Sequence, residues 1–156
     1  MSSPRKVLVD STFLLPTLGV KVSQLSDSDL RELTKLRSRT RFFCIHQSLV
    51  EVLGKVGREW AQESDEHIVE TVEEGLRSVL ESDLYTWISP TTKALMDAVQ
   101  MRRKGHKDMI DNMLYSTASD LDMLFLSIDV ELIKFLEENL YSTGAIVNIK
   151  KLHSLV

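Results

Sequence analysis

Short apolar runs alternate with longer amphipathic segments along most of the 156 residues, and this alternation limits the possible folds more than any other feature. Short runs of this kind are typical of strands buried on both faces, and apolar residues spaced three and four apart are typical of covering helices. The pattern therefore predicts an α/β fold with a parallel sheet. No linker or change in composition divides the chain, so we expect a single domain over residues 1–156.

The same periodicity gives bounds for each element. Five apolar runs predict strands at Lys6–Asp10, Arg41–Ile45, Leu84–Ser89, Met123–Asp129 and Ala145–Ile149. Six amphipathic segments predict helices at Ser26–Arg37, Ser48–Trp60, Asp65–Glu81, Thr91–Arg103, Asp108–Leu121 and Glu131–Leu140. Because crossovers between parallel strands are right-handed, these helices should flank the sheet in a three-layer α/β/α arrangement. Ligands of such sheets bind beyond the carboxyl ends of the strands.

The charge balance and the single cysteine restrict the cellular compartment and the binding partners that we expect. The chain has 23 acidic and 19 basic residues, a net charge of -4, so any contact with nucleic acid has to come from local basic patches. The single cysteine, Cys44, lies in an apolar run and cannot form an internal disulfide, which fits a reducing compartment. We see no secretory signal and no membrane-spanning stretch, so we expect a cytoplasmic protein with no membrane partner.

Four acidic residues are predicted to lie at the carboxyl edge of the sheet. Asp10 and Asp129 end the first and fourth strands, and Glu51 and Asp111 lie in the first turns of helices that begin at that edge. Converging carboxylates repel one another unless a cation neutralises them, and oxygen ligands are those that Mg²⁺ and Mn²⁺ prefer. The sequence thus predicts a metal site, with Asp108, one turn before Asp111, as a further candidate acid.

Each of these acids also has a purely structural alternative, which the sequence leaves open. Asp10 can be a turn residue, and Glu51 can close a capping box at the start of its helix. Asp108 and Asp111 suit the first turn of a helix, and Asp129 suits an N-cap. Only convergence of the side chains distinguishes a metal site from a set of separate caps and turns.

Four segments, taken in order, resemble the PIN domain family, which includes the VapC-type toxins of toxin–antitoxin pairs. They are VLVDST, SLVEVL, DMIDNMLYSTA and FLSID, and the resemblance covers essentially the whole chain. It implies a sheet of order 3-2-1-4-5, Mg²⁺- or Mn²⁺-dependent endoribonuclease activity and a homodimer. It also implies that the catalytic and metal-binding acids are Asp10, Glu51, Asp111 and Asp129, with Ser127 as a supporting residue that positions the site by hydrogen bonding.

The resemblance leaves three functional hypotheses. The first is a VapC-like toxin, which would have RNA as substrate and a small antitoxin protein as partner. The second is an RNA-processing nuclease with no antitoxin, and the third is a PIN-like binding or scaffold protein without turnover. A P-loop or dinucleotide site is excluded because the chain has no G-x-G-x-x-G or G-K-[ST] segment.

Two basic clusters are candidates for contacts with a polyanion. The cluster just upstream of the third acid is the candidate for binding the RNA backbone, and it comprises Arg102, Arg103, Lys104 and Lys107. A solvated helix end, favoured by the helix dipole, is the alternative for these residues. The other cluster precedes the second predicted strand and contains Arg37, Arg39 and Arg41.

Overall fold

A parallel sheet forms the centre of the structure, a computed structural model that describes residues 3–63 and 66–156. Over those residues the sheet has five strands in the order β3-β2-β1-β4-β5. The strands are β1 (Arg5–Val9), β2 (Thr40–Ile45), β3 (Thr86–Ile88), β4 (Leu124–Leu126) and β5 (Ile146–Val147). The α/β class and the order 3-2-1-4-5 are therefore confirmed.

Helices cover both faces of this sheet. One layer, which packs in the same core cluster as Val7 and Val9 of β1, contains α1 (Asp27–Leu36), α2 (Ser48–Gln62), α3 (His67–Glu81) and α7 (Ile149–Leu155). The other layer, which packs with Leu8, contains α4 (Thr92–Arg103), α5 (Met109–Asp120) and α6 (Val130–Glu138). No helix in the described ranges is long and apolar enough to cross a membrane.

The central strand β1 explains why the layers form on both sides. Val7, Leu8 and Val9 are all buried, and successive side chains of a strand point to opposite faces. Val7 and Val9 therefore need apolar cover on one face of the sheet, and Leu8 needs it on the other. β1 also pairs in parallel with both β2 and β4, so its carboxyl end lies in the middle of the sheet edge.

The chain beyond β5 differs from the sequence-based expectation. The fifth strand was expected to run to Ile149, but β5 ends at Val147 because the Asn148 side chain accepts a hydrogen bond from the Lys151 N–H at 2.8 Å. This contact caps α7, a helix that the periodicity did not predict. Two 3-10 helices that follow β1 directly, Ser11–Leu14 and Pro16–Leu18, were also not predicted.

One predicted helix end was wrong, and one predicted helix start lies outside the described residues. The sixth helix was expected to reach Leu140, but α6 ends at Glu138 and Leu140 has a positive φ of 62°. Its side chain is 94% exposed, so it makes no core contribution. The third helix was expected from Asp65, which lies outside the described residues; α3 begins at His67.

The helix α3 approaches the second 3-10 helix closely at a glycine. A Cβ atom on Gly75 would lie 2.4 Å from the Thr17 carbonyl oxygen and 2.8 Å from Leu18 Cδ2. Both distances are too short for a carbon contact, and the first involves rigid backbone. Packing therefore requires glycine at position 75, although glycine destabilises the interior of a helix.

We predict that Gly75→Ala lowers the free energy of unfolding by roughly 1–3 kcal/mol, because α3 must move away from Thr17 and Leu18. Urea denaturation of both proteins measures the difference. Gly144→Ala is the matched control, since its Cβ would have only an ordinary contact of 3.9 Å with Ser142 Oγ. A Gly75→Ala protein as stable as the Gly144→Ala protein would contradict the packing argument.

Candidate metal centre

The acids approach one another because of the pairing of β1 with β4. Val9 is in register with Leu126, and the Asp10 N–H donates to the Leu126 carbonyl at 3.0 Å. Asp10 and Asp129 therefore emerge from neighbouring strands at the same edge of the sheet. Helices α2 and α5 begin at this edge as well, and their first turns carry Glu51 and Asp111.

All four predicted ligands line one cavity of about 640 Å³, which we call the acidic cavity. Its acidic lining residues are Asp10, Glu51, Glu59, Asp108, Asp111, Asp129 and Glu131. Asp10 and Asp111 are buried, with 3% and 6% of their surface exposed. The cavity thus brings together carboxylates from the ends of β1 and β4 and from the first turns of α2 and α5.

Asp10 is the most deeply buried of these acids. Its Oδ2 accepts a hydrogen bond from Ser127 Oγ at 2.9 Å, and its Oδ1 accepts the Thr12 N–H at 3.3 Å. Burial raises the pKa of Asp10 to about 6, although both hydrogen bonds favour the carboxylate. The nearby charges of Glu51 and Asp129 raise it further.

Asp111 and Asp129 shift each other's pKa in opposite directions. Burial raises the pKa of Asp111, and a hydrogen bond to Asp129 raises it further because Asp111 is the protonated partner. Burial acts in the same direction on Asp129, but the hydrogen bond from Asp111 and those from the Leu132 and Glu131 N–H groups outweigh it and lower its pKa. The raised pKa of Asp111 and the lowered pKa of Asp129 favour one proton for the pair, on Asp111.

Glu51 is stabilised by a different partner. Its Oε1 accepts a hydrogen bond from Lys55 Nζ at 2.6 Å, one turn along α2. Its Oε2 is buried and has no hydrogen-bond partner among the described residues. The capping-box alternative for Glu51 is wrong, because Gln47 is the N-cap of α2 and makes no side-chain cap.

Three other acids act as caps, a role that the structural alternatives gave only to Asp129. Asp10 caps the first 3-10 helix, Asp108 Oδ1 accepts the Asp111 N–H at 3.1 Å, and Asp129 Oδ1 accepts the Leu132 N–H at 3.0 Å. An acidic side chain can therefore cap a helix and also line the acidic cavity. Asp108 is exposed on the rim of the acidic cavity, whereas Asp111 faces its interior.

Ser127 connects the two strand ends. Besides donating to Asp10, its Oγ accepts the Asp129 N–H at 3.2 Å. One hydroxyl thus fixes the position of both Asp10 and the backbone that carries Asp129. This matches the supporting role that the sequence resemblance implies for Ser127.

The donor set fits a hard divalent cation in its chemistry. Carboxylate oxygens are suitable ligands, and the unpartnered Oε2 of Glu51 and the buried Asp10 carboxylate are groups that a cation would stabilise. No group of three or more His, Cys, Asp or Glu in the described ranges has the arrangement of a ready-made metal site. In this structure the oxygens are directed to Ser127, Lys55 and backbone N–H groups instead.

The basic candidates from the sequence lie beside the acidic cavity rather than in it. Lys107 lines an adjoining cavity with Asp108 and Asp111, and Lys104 Nζ lies 4.6 Å from the Tyr141 ring centroid. Arg102 and Arg103 are exposed at the end of α4. Lys104 therefore covers an aromatic ring.

Sequence reasoning missed the cations that line the acidic cavity itself. They are Lys21, Lys55 and Arg58. Lys55 and Arg58 follow Glu51 by four and seven residues on α2, so their helical spacing was a usable signal. His106 was also missed; it lowers the pKa of Asp129 and its Nδ1 lies 2.6 Å from Asn112 Oδ1.

Comparison with known proteins supports the fold. No protein-family model and no curated protein matches the chain. Among solved structures, it is similar to the crystal structure of PAE2754 from Pyrobaculum aerophilum, with a TM-score of 0.63 and 16% identity. The match covers 97% of this chain and 89% of that one. At this identity the likeness shows a shared fold alone.

We predict that Asp10→Asn raises the free energy of unfolding of the cation-free protein at pH 8 by up to roughly 3 kcal/mol. The pKa of Asp10 is about 6 in the folded state against 3.8 for an ordinary aspartate, so the folded state binds more protons. Wild-type stability should therefore fall as the pH rises through about 4 to 6, and the neutral side chain removes this loss.

Urea denaturation at pH 4 and pH 8, in EDTA, measures this effect. The gain should be present at pH 8 and absent at pH 4. Asp27→Asn, at an exposed position on α1, is the control and should change stability by no more than about 0.5 kcal/mol at either pH. An Asp10→Asn protein that is less stable than wild type at pH 8 would show that repulsion and burial do not destabilise this site.

Proposed function

We propose that the chain is a metal-dependent endoribonuclease, in which Asp10, Glu51, Asp111 and Asp129 hold Mg²⁺ or Mn²⁺ against an RNA phosphodiester. The observation that carries this proposal is the grouping of four carboxylates around one cavity, where Glu51 Oε2 is buried without a partner. The choice of RNA as substrate rests on the sequence resemblance to the PIN domain family.

The residues of the chain prepare the site in two ways. Ser127 holds Oδ2 of Asp10, which leaves Oδ1, with its longer bond to the Thr12 N–H, as the oxygen free to turn towards a ligand. Asp111 must lose its proton before it and Asp129 can both act as ligands, so cation binding is coupled to proton release. A bound Mg²⁺ or Mn²⁺ would supply positive charge that polarises the phosphodiester and favours ionisation of the attacking water.

The cations of the acidic cavity suit the binding of the substrate. Lys21, Lys55 and Arg58 lie on its wall and can contact phosphate oxygens on either side of the cut. Lys55 would have to exchange Glu51 for a phosphate oxygen when both cation and RNA bind. Arg102, Arg103, Lys104 and Lys107 are more distant and would contact the flanking backbone.

The toxin role and a small antitoxin partner extend this proposal from the resemblance. A cytoplasmic location is proposed from Cys44, a single buried thiol that fits a reducing compartment. A non-catalytic PIN-like binding or scaffold protein is the second candidate. It is favoured by the Lys55–Glu51 ion pair and by the raised pKa of Asp111, because both reduce repulsion without a cation. The two functions differ in turnover and in the response to divalent cations.

We predict that Asp10→Asn and Asp129→Asn each lower RNA cleavage in Mg²⁺ or Mn²⁺ by about 100-fold or more, because each removes a charged ligand oxygen. Cleavage of a mixed-sequence RNA in the presence and absence of EDTA measures this. Glu138→Gln, on the exposed end of α6, is the control and should retain wild-type activity. Cleavage that survives both EDTA and Asp129→Asn would contradict metal-dependent catalysis.

Thermal unfolding in Mg²⁺ separates the two candidate functions. A nuclease should be stabilised by the cation, and this stabilisation should disappear in the Glu51→Gln protein. A scaffold protein should show neither cation stabilisation nor cleavage. Stabilisation by Mg²⁺ without cleavage of any RNA would show a cation site without nuclease activity and would contradict the nuclease.

A homodimer is the assembly we propose, because α2 exposes an apolar face. Val50, Leu53 and Trp60 are 74%, 46% and 40% exposed, and together with Gly57 they recur at helical spacing on the side of α2 away from the sheet.

We predict that Val50→Glu gives a monomer by light scattering, whereas the wild type has twice the mass of the chain. Leu140→Glu, in the exposed segment that follows α6, should leave the dimer intact.

A further inference from the structure

A second cavity lies at the opposite end of the strands from the acids. Its lining includes Thr40 and Thr86, the first residues of β2 and β3, so it opens at the amino-terminal edge of the sheet. We call it the arginine cavity, because Arg37 and Arg41 also line it. Its volume of about 510 Å³ is in the ordinary range for small-molecule sites.

The arginine cavity is unbalanced in charge. Two guanidinium groups line it, and Asp83 is the one carboxylate of its lining in the described part of the chain. Neither arginine forms an ion pair with a carboxylate among the described residues. Arg5 and Arg39 lie at the same edge, where the Arg5 N–H donates to the Arg39 carbonyl. This edge is therefore cationic in a chain whose net charge is -4.

Arg37 is held in place by an aromatic ring. Its Cζ lies 5.6 Å from the centroid of the Tyr85 ring, which also lines the arginine cavity. The Nε–H of Arg37 is buried and has no hydrogen-bond partner among the described residues. A buried donor without a partner costs free energy that an acceptor in the cavity can recover.

Arg41 is fixed from the other side. Its Nε donates to Thr86 Oγ1 at 3.4 Å, and its Cζ lies 5.3 Å from the centroid of the Phe43 ring. These contacts use Nε and one face of the guanidinium, so both Nη groups remain to bind a ligand. Phe43 packs in the core cluster on the face of the sheet opposite Tyr85, so the two guanidinium groups are held on opposite faces and can meet a shared ligand only at the sheet edge. Both are oriented by rings rather than by carboxylates, which leaves them available to an anion.

We propose that the arginine cavity binds a phosphoryl group, with Arg37 and Arg41 donating to its oxygens. Arginine forks match the oxygens of phosphate and form charge-assisted hydrogen bonds with them. The group can come from a free nucleotide or from a 5′-phosphorylated RNA strand. Burial raises the pKa of Tyr85 to about 12, so its hydroxyl stays protonated and is a further donor. This site does not depend on the nuclease proposal, because it shares no residue with the acidic cavity.

Titration of the full chain in EDTA tests this proposal without interference from cleavage. The probes are inorganic phosphate, adenosine 5′-monophosphate, adenosine, and one tetranucleotide with either a 5′-phosphate or a 5′-hydroxyl. NMR signals of the arginine Nε–H groups and of the Thr86 amide report on the site, and calorimetry gives the affinity. Arg41→Gln is the main variant, since Arg41 is exposed and its loss leaves the core intact. Arg31→Gln, exposed on α1, is the matched control for charge.

We expect saturable shifts of the Arg37 and Arg41 signals with every phosphorylated probe and none with adenosine. Arg41→Gln should weaken binding about 10-fold or more, and Arg31→Gln should not change it. Tighter binding of the nucleotide than of the phosphorylated strand assigns the free nucleotide as the source, and the reverse order assigns RNA.

Three results would overturn the proposal. They are no saturable shift up to roughly 10 mM phosphate, equal affinities of the Arg41→Gln and Arg31→Gln proteins, or shifts confined to the cations of the acidic cavity. Arg37→Lys gives a second check, because it keeps the charge at the end of α1 but removes the fork. Unchanged affinity in Arg37→Lys would assign Arg37 only a structural role at that helix end.

Discussion

The parallel pairing of β1 with β4 is the contact on which the rest of the site depends. β1 is the central strand, and its register with β4 sets Val9 beside Leu126. Since both strands end together, the next residues of each must share the same small region of the sheet edge. The Ser127 hydroxyl then joins the two strand ends by contacting Asp10 and the Asp129 N–H. A shift of one residue in this register would separate the acids and reverse the faces of the strand.

The acids at this site repel one another, and this repulsion lowers the stability of the folded state. The structure reduces this repulsion locally, because the raised pKa of Asp111 favours its neutral form and because Lys55 forms an ion pair with Glu51. The opposite edge of the sheet has the reverse excess, with Arg37 and Arg41 around their own cavity. The fold thus separates negative and positive charge at the two ends of the same strands, although the net charge of the chain is small.

The sequence predicted the parts of the molecule that depend on periodicity and order. The buried strands, the two helical layers and the nearness of Asp10 to Asp129 follow from apolar spacing and from the geometry of parallel sheets. It did not predict α7, because the Asn148 cap is a single local contact that interrupts an apolar run. It also did not predict the opposite pKa shifts of Asp111 and Asp129, because these depend on burial and on distances that only tertiary structure defines.

Asp129 caps α6 and also lines the acidic cavity, so it links the cavity to the backbone of this helix. Its Oδ1 accepts the Leu132 N–H, so a ligand that draws this oxygen away must release an amide in the first turn of the helix. The stability of the first turn of α6 therefore depends on whether a ligand occupies the acidic cavity.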